Sequence, residues 1–213
     1  KYRVPDLKAV LETTETISRN ISRDSLVCLE SSTYPQTTSH KLKPILDKSN
    51  LQLGDGYYLC YSPEREDPGN KDFSLHQIPK VLGSDDKNSL ECGTALYESI
   101  IDSVHIVSSS ATAEAVKLTE NIFRAVNISL SNELKMIFSE MGIDAWEVID
   151  AASTKPFGFM PFYPGPGVGG HCIPIDPFYL TYKAKEYGLP TRFIELAGEY
   201  NNLAIEHIIS KIS

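Results

Sequence analysis

The spacing of apolar residues changes near residue 110. Before it, short apolar runs bounded by turn-forming residues alternate with stretches of helical period. Such runs are typical of buried strands, and their alternation with helices predicts a parallel α/β sheet. The predicted elements are strands over 26–31, 57–61, 80–83 and 104–107, and helices over 6–20 (with Asp6 as N-cap), 37–46 and 86–101.

Beyond residue 110 only the helical period remains. Helices are predicted over 113–141, 144–152, 176–187 and 190–213. A change from mixed to purely helical periodicity predicts a change of fold class. The chain therefore divides into an α/β part over 1–110 and an all-α part over 111–213.

A loop rich in glycine and proline, 164–177, interrupts the helical part. It holds four glycines within six residues, 165–170, and Cys172 comes two residues after the last of them. Glycines let a backbone approach a ligand closely, and a thiol just ahead of a helix N-terminus is favoured as the thiolate. The alternative is a small buried cysteine beside a structural turn. A metal site is disfavoured because His171 and Cys172 are adjacent, and adjacent side chains rarely bind one ion.

Polar residues follow two of the predicted strands. Hydroxyl side chains over 31–38 lie where α/β folds bind ligands, although they would equally cap the helix that follows. The charged loop 62–70 is a second candidate, with a solvated surface loop as its alternative. On the long helix, Lys117 and Asn121 share one face and could polarise an oxygen, or could be ordinary surface residues.

Composition narrows the classes of function. The net charge is −8 and no basic stretch offsets it, which disfavours nucleic acid as a partner. No apolar run approaches about 18 residues and no signal peptide is visible, so we expect neither a membrane partner nor export. The four cysteines are widely spaced and are expected to be reduced, which indicates a cytoplasmic location.

Four motifs, taken in order, resemble the nucleotide-sugar 6-dehydrogenases, the UDP-glucose/GDP-mannose dehydrogenase superfamily. They are Ser32-Thr33-Tyr34-Pro35, Ser62-Pro63-Glu64-Arg65, Glu114…Lys117…Asn121, and Gly167-Val168-Gly169-Gly170-His171-Cys172…Asp176. The resemblance implies that 1–110 is the later half of a Rossmann-like parallel sheet, part of an NAD-binding domain. It implies that 111–213 is an all-α central dimerisation domain with the catalytic Cys loop.

The family's GxGxxG loop does not occur before residue 160. Family members also end in a second Rossmann-like domain that holds the nucleotide. The resemblance therefore implies the central part of a longer enzyme, and we expect these 213 residues alone to be inactive.

The resemblance also implies roles for residues. NAD-dependent, four-electron oxidation would convert a sugar C6 hydroxyl to a carboxylate for surface polysaccharide synthesis, in a homodimer joined by its central helices. Cys172 would be the nucleophile, Lys117 and Asn121 would stabilise oxyanions, Asp176 would position water, and Glu64 would act in acid/base steps. The implied NAD contacts are Ser32, Thr33 (also placed in the catalytic set) and Cys172, and the implied substrate contacts are Glu64, Arg65, Lys117, Asn121, Tyr163, Gly165, Gly167 and Gly169.

The loop sequences favour the branch acting on UDP-N-acetylhexosamines, with UDP-N-acetylglucosamine before UDP-N-acetylmannosamine or UDP-glucose. Two positions depart from family patterns: Gln36 replaces a glycine of this branch, and Pro68 replaces a second glutamate of the UDP-glucose enzymes. Two alternatives stay open, a 6-phosphogluconate or 3-hydroxyacid dehydrogenase relative and a non-catalytic dimerisation fragment. A cysteine hydrolase is disfavoured because the ring of His171 is unlikely to reach the neighbouring sulfur.

Overall fold

The computed structural model describes residues 4–66, 69 and 73–212. It divides into two compact units, one over Val4–Leu118 and one from Thr119 onward. Part of the predicted charged loop, including Asp67, Pro68 and Asn70, lies outside the described residues.

The first unit is built on a four-stranded sheet with the order β1-β2-β3-β4. The strands are β1 (Ser25–Leu29), β2 (Tyr57–Tyr61), β3 (Lys80–Gly83) and β4 (Val104–Val107). β1 pairs with β2 in parallel, with Cys28 opposite Cys60, and β3 pairs with β4 in parallel. This confirms the predicted α/β class, and the strand bounds match the predictions closely.

The pairing of β2 with β3 differs from the expected parallel arrangement. These strands are antiparallel, with Tyr61 opposite Gly83. Parallel neighbours need a crossover connection, usually a helix on one face of the sheet. The described part of the connection between β2 and β3 contains only a short 3₁₀ turn, Leu75–Gln77, so the chain returns in the opposite direction.

The helices of the first unit are α1 (Lys8–Asn20), α2 (Lys43–Leu46) and α3 (Lys87–Glu98). Asp6 Oδ1 accepts from the backbone N–H of Lys8 at 2.9 Å, although Leu7 holds the N-cap position. The predicted helix over 37–46 is composite, since a π-helical turn, Thr38–Leu42, precedes α2 and a 3₁₀ turn, Asp47–Ser49, follows it.

Within the described part of the second unit the regular elements are all helices, as predicted. α4 (Ser110–Glu140) crosses the boundary between the units and is followed by α5 (Ala145–Ser153), α6 (Pro177–Lys185) and α7 (Arg192–Ile212). α4 and α7 are joined by hydrogen bonds from Ser129 Oγ to Ala197 O (2.9 Å) and from Tyr200 OH to Glu133 Oε1 (2.7 Å). Among the described residues, no helix combines the length and apolar character needed to cross a bilayer.

Candidate active site

A buried carboxylate organises the loop that follows β1. Oε1 of Glu114, on α4, accepts from the backbone N–H and the hydroxyl of Thr38 at 2.8 and 2.7 Å. Its Oε2 accepts from the backbone N–H of Gln36 at 2.6 Å. Glu114 is fully buried, and burial raises its pKa while the bonds from Thr38 and Gln36 oppose that rise. The sequence predicted that hydroxyl residues would cap the following helix. Thr37 holds the N-cap position, but its side chain makes no capping hydrogen bond, and the carboxylate of Glu114 accepts from the backbone there instead.

Thr33 is left with an unused hydroxyl at this strand end. The residue is fully buried, and its Oγ1 has no hydrogen-bond partner among the residues that the structure describes. A buried polar atom without a partner is costly, and such atoms occur where a ligand completes the bonding. The carboxamide of a nicotinamide offers both a donor and an acceptor that could complete this bonding, and the contact of NAD with Thr33 and its half-buried neighbour Ser32 stays a prediction.

Gln36 adopts a backbone conformation that suits glycine. Its φ is +76°, in the left-handed region that L residues other than glycine rarely occupy. The position where this branch of the family carries glycine is therefore one where the turn requires a positive φ. The departure leaves the turn intact, and the backbone N–H groups of Gln36 itself and of Thr38 still reach Glu114.

The charged loop after β2 brings two predicted site residues together. Lys117 Nζ, on α4, donates to the backbone carbonyl of Glu64. Glu64 Oε1 accepts from the backbone N–H groups of Arg65 and Glu66, both at 2.7 Å. Burial raises the pKa of Glu64, but those bonds and the charge of Lys80 outweigh it and hold the pKa below its ordinary value. Arg65 donates to Pro79 O at 2.6 Å, so its guanidinium helps to fix the loop.

A second pair of predicted residues meets in the helical unit. Asn121 Nδ2 donates to Asp176 Oδ2 at 3.1 Å, and both side chains are buried. Asp176 is thereby fixed in one orientation. A buried carboxylate beside a carboxamide can accept from a water or orient it.

Cys172 lies in a closed turn. His171 O accepts from the backbone N–H groups of Ile175 and Asp176 at 3.0 and 3.1 Å, and this closes the segment that carries the thiol. Cys172 is exposed and free. Because α6 begins at Pro177, with Asp176 at its N-cap, four residues separate the thiol from the helix, and the predicted start at residue 176 agrees to within one residue.

The glycine-rich loop is held by side chains from two helices. Ser131 Oγ donates to Phe162 O at 2.6 Å, and Gly165 N donates to Asn132 Oδ1 at 3.0 Å. Tyr163 OH donates to Asp150 Oδ1, on α5, at 2.7 Å, which raises the pKa of the phenol. The ring of Phe162 also packs edge-to-face on Phe123.

The predicted substrate glycines fall into two kinds. Gly167 has φ +119°, and a Cβ there would lie 2.7 Å from Cγ1 of Ile205, so its role is conformational. A Cβ at Gly165 or Gly169 would meet open space. Only the latter two leave room that a ligand could use.

Sequence reasoning gave no role to several residues that build these loops: Glu114, Lys80, Ser131, Asn132 and Asp150. Glu114 was part of a recognised motif, but its partners lie 76–78 positions away, beyond any local pattern. Within the described residues no cluster of three or more His, Cys, Asp or Glu could hold a metal ion.

Two domain models of one known protein family match this chain. The model of the UDP-glucose/GDP-mannose dehydrogenase family NAD binding domain matches residues 1–101, and the model of the family's central domain matches 111–203. The chain belongs to this family. NAD is thus the cofactor of the domain to which the first unit corresponds.

Other members of the UDP-glucose/GDP-mannose dehydrogenase family align with the whole chain. The protein CapL of Staphylococcus aureus is 40% identical and UDP-N-acetyl-D-glucosamine 6-dehydrogenase of Pseudomonas aeruginosa is 38% identical, each over 100% of this chain and 50% of the relative. The solved structure of UDP-D-ManNAc dehydrogenase from Pyrococcus horikoshii superposes with a TM-score of 0.88 at 32% identity, over 95% of this chain and 47% of that one. The chain spans about half the length of the curated relatives it matches.

Proposed function

We propose that this chain belongs to an NAD-dependent UDP-N-acetylhexosamine 6-dehydrogenase, which oxidises the C6 hydroxyl of the sugar to a carboxylate. The observation that supports this most is that one closed turn of a family central domain carries an exposed thiol, Cys172, and ends at a buried carboxylate, Asp176. The names of the relatives support an N-acetylated sugar, and the loop sequences favour UDP-N-acetylglucosamine. The product would serve surface polysaccharide synthesis.

The first oxidation requires a base and an electrophilic contact. Glu64, with its lowered pKa, is ionised at neutral pH and accepts the proton of the C6 hydroxyl as the aldehyde forms. Lys117 and Asn121 lie one turn apart on α4 and stabilise negative charge on the sugar oxygen. NAD would supply the hydride acceptor, one molecule for each of the two oxidations, and Ser32 and Thr33 would hold its nicotinamide end.

The second oxidation proceeds through Cys172. Its sulfur adds to the aldehyde carbon, and the resulting thiohemiacetal loses a hydride and a proton to become a thioester. Water then adds at the thioester carbon, which breaks the carbon–sulfur bond, returns the thiol and releases the carboxylate. Asp176, fixed by Asn121, orients that water.

The substrate would lie along the glycine-rich loop. Arg65 would offer a positive charge to the sugar or the pyrophosphate. The open space at Gly165 and Gly169 would leave room for the substrate. Tyr163 is half-exposed and could contact the nucleotide. A free thiol must stay reduced, which agrees with a cytoplasmic location.

The central helices support a homodimer as the working form. Exposed apolar side chains recur along α4 and α7, and a shallow groove of about 180 Å³ lies between them, lined in part by Leu130, Phe193 and Leu196. Large exposed apolar patches mark contact surfaces. Light scattering at tens of micromolar should give twice the monomer mass, and a monomer at that concentration would refute the dimer.

The decisive experiment measures NADH formed from UDP-N-acetylglucosamine, UDP-N-acetylmannosamine and UDP-glucose by the whole protein. We expect two NADH per sugar on one substrate, and no NADH from residues 1–213 alone. Cys172→Ser should lower acid formation by about 10³-fold or more, because the thioester cannot form. The matched control is Cys92→Ser, at a half-buried free thiol of α3. NADH formation that Cys172→Ser leaves at the wild-type rate, with no acid product in either protein, would point instead to a hydroxyacid dehydrogenase relative.

A further inference from the structure

Lys80 lies between two carboxylates beside the proposed base. Its Nζ is 3.0 Å from Glu30 Oε1 and 3.5 Å from Glu64 Oε2, and its side chain is only 12% exposed. Ammonium groups are seldom so far removed from water unless they are paired. The reaction steps described above give Lys80 no role.

Strand pairing explains why these groups meet. β2 and β3 are antiparallel with Tyr61 opposite Gly83, and the same register continued by three residues places Glu64 opposite Lys80. Directly opposed residues on neighbouring strands lie about 5 Å apart, within reach of an ion pair. β1 is parallel to β2, so Glu30, which follows β1, reaches the same edge.

The two oxygens of Glu64 are used differently. Oε1 accepts two backbone hydrogen bonds of 2.7 Å. Among the described residues, the hydrogen-bonding partner of Oε2 is Lys80, at the long distance of 3.5 Å. Each carboxylate oxygen can accept about two bonds, so Oε2 is the oxygen with capacity left for a substrate hydroxyl.

Lys80 is itself held from two sides. Glu30 pairs with it, and the hydroxyl of Tyr97 donates to Glu30 Oε1 at 2.7 Å. The ring of Tyr97 also lies under the ammonium, with the centroid 5.3 Å from Nζ. A cation fixed in this way can set the position of a more exposed carboxylate, because the exposed partner has the greater freedom to adjust.

We propose that Lys80 is a positioning residue that orients Glu64, so that Oε2 is the oxygen presented to the C6 hydroxyl. This inference rests on the proposed role of Glu64. The other charged groups around Glu64 are Lys117, which bonds its backbone carbonyl, the neighbours Arg65 and Glu66, and Glu30 across the ammonium. The charged atom of Lys80 contacts the carboxylate itself, at Oε2.

The test is Lys80→Met in the whole protein. We expect kcat/KM to fall by about tenfold or more, because a misplaced base slows the reaction steeply. We also expect the acidic limb of the kcat/KM profile to move to higher pH, since a nearby cation favours the ionised carboxylate and that cation is gone. Lys80→Arg should restore most of the lost kcat/KM and most of the original position of the acidic limb. Lys87→Met, at an exposed pair with Glu91, is the control and should change neither.

A second readout needs no substrate. The titration of the Glu64 side-chain carboxyl, followed by ¹³C NMR in the unliganded protein, should move to higher pH in Lys80→Met. If that variant does not fold, Glu30→Gln/Lys80→Met removes both charges and should give a smaller shift in the same direction, because the negative charge of Glu30 is also gone.

The outcomes separate two kinds of failure. An active protein whose acidic limb and Glu64 titration are unchanged by these variants would overturn the inference alone. A protein that oxidises no nucleotide sugar would overturn the proposed function and this inference with it, and the titration would still show whether Lys80 and Glu64 interact.

Discussion

The loop after β1 and the loop that carries Cys172 are both shaped backbones, but they are stabilised in different ways. One buried carboxylate, Glu114, holds the first loop through three hydrogen bonds, and its hydroxyl residues are mostly buried. The second is held at its base by Ser131 and Asn132, while Gly169, Gly170 and Cys172 stay exposed.

This difference indicates that the first loop contributes mainly to stability and the tip of the second mainly to binding. A loop whose amides end on a buried charge is part of the folded core, and changes in it should first affect stability. A loop with an anchored base and an open tip can accept changes at the tip with little loss of stability, and they should first affect binding. Three predictions test this contrast.

The largest effect on stability should come from Glu114→Gln. The amide can still accept from Thr38, but its NH₂ group then faces the N–H of Gln36, and one buried donor loses its acceptor. We expect the free energy of unfolding in urea to fall by about 2 kcal/mol. Glu91→Gln, at an exposed ion pair, is the control and should stay within about 0.5 kcal/mol. A Glu114→Gln variant as stable as the control would show that the carboxylate does not hold the loop.

An intermediate effect is expected within the cysteine loop itself. Gly167→Ala should lower stability by about 1–2 kcal/mol, because the residue has a positive φ and the new Cβ would press on Ile205. Gly169→Ala should stay within about 0.5 kcal/mol, since its Cβ meets open space, while KM for the nucleotide sugar should rise. Thermal unfolding and steady-state kinetics on both variants check this. Equal losses of stability would remove the distinction between base and tip.

The smallest expected effect is an increase in the free energy of unfolding. Gln36→Gly relieves the left-handed backbone at the first loop, and we expect about 0.5–1 kcal/mol of added stability after the entropy of glycine is subtracted. Gln36→Ala is the matched control, because it removes the same side chain but keeps the unfavourable φ. If glycine and alanine gave the same stability, the turn would not carry the strain assigned to it.

Much of the fold was predictable because it rests on local patterns. The strands Tyr57–Tyr61, Lys80–Gly83 and Val104–Val107 coincide with apolar runs, and the caps Asp86 and Asp144 accept the first amides of α3 and α5. The composite helix after β1 was not predictable, because its N-terminal amides bond a side chain 76–78 positions away. The start of α6 was predictable to within one residue, because Asp176 and Pro177 mark its N-terminus.

The sequence by itself determined the class of the fold, the family and the types of residue that carry the proposed chemistry. These follow from hydrophobic period and from motifs in a set order, both of which are properties of neighbouring residues. Tertiary structure alone decided the antiparallel return of β3, and with it the meeting of Lys80 with Glu64 and Glu30. It also decided that Glu114 lies inside the protein rather than on its surface. Such contacts join residues distant in the chain, and only the packing of strands and helices brings them together.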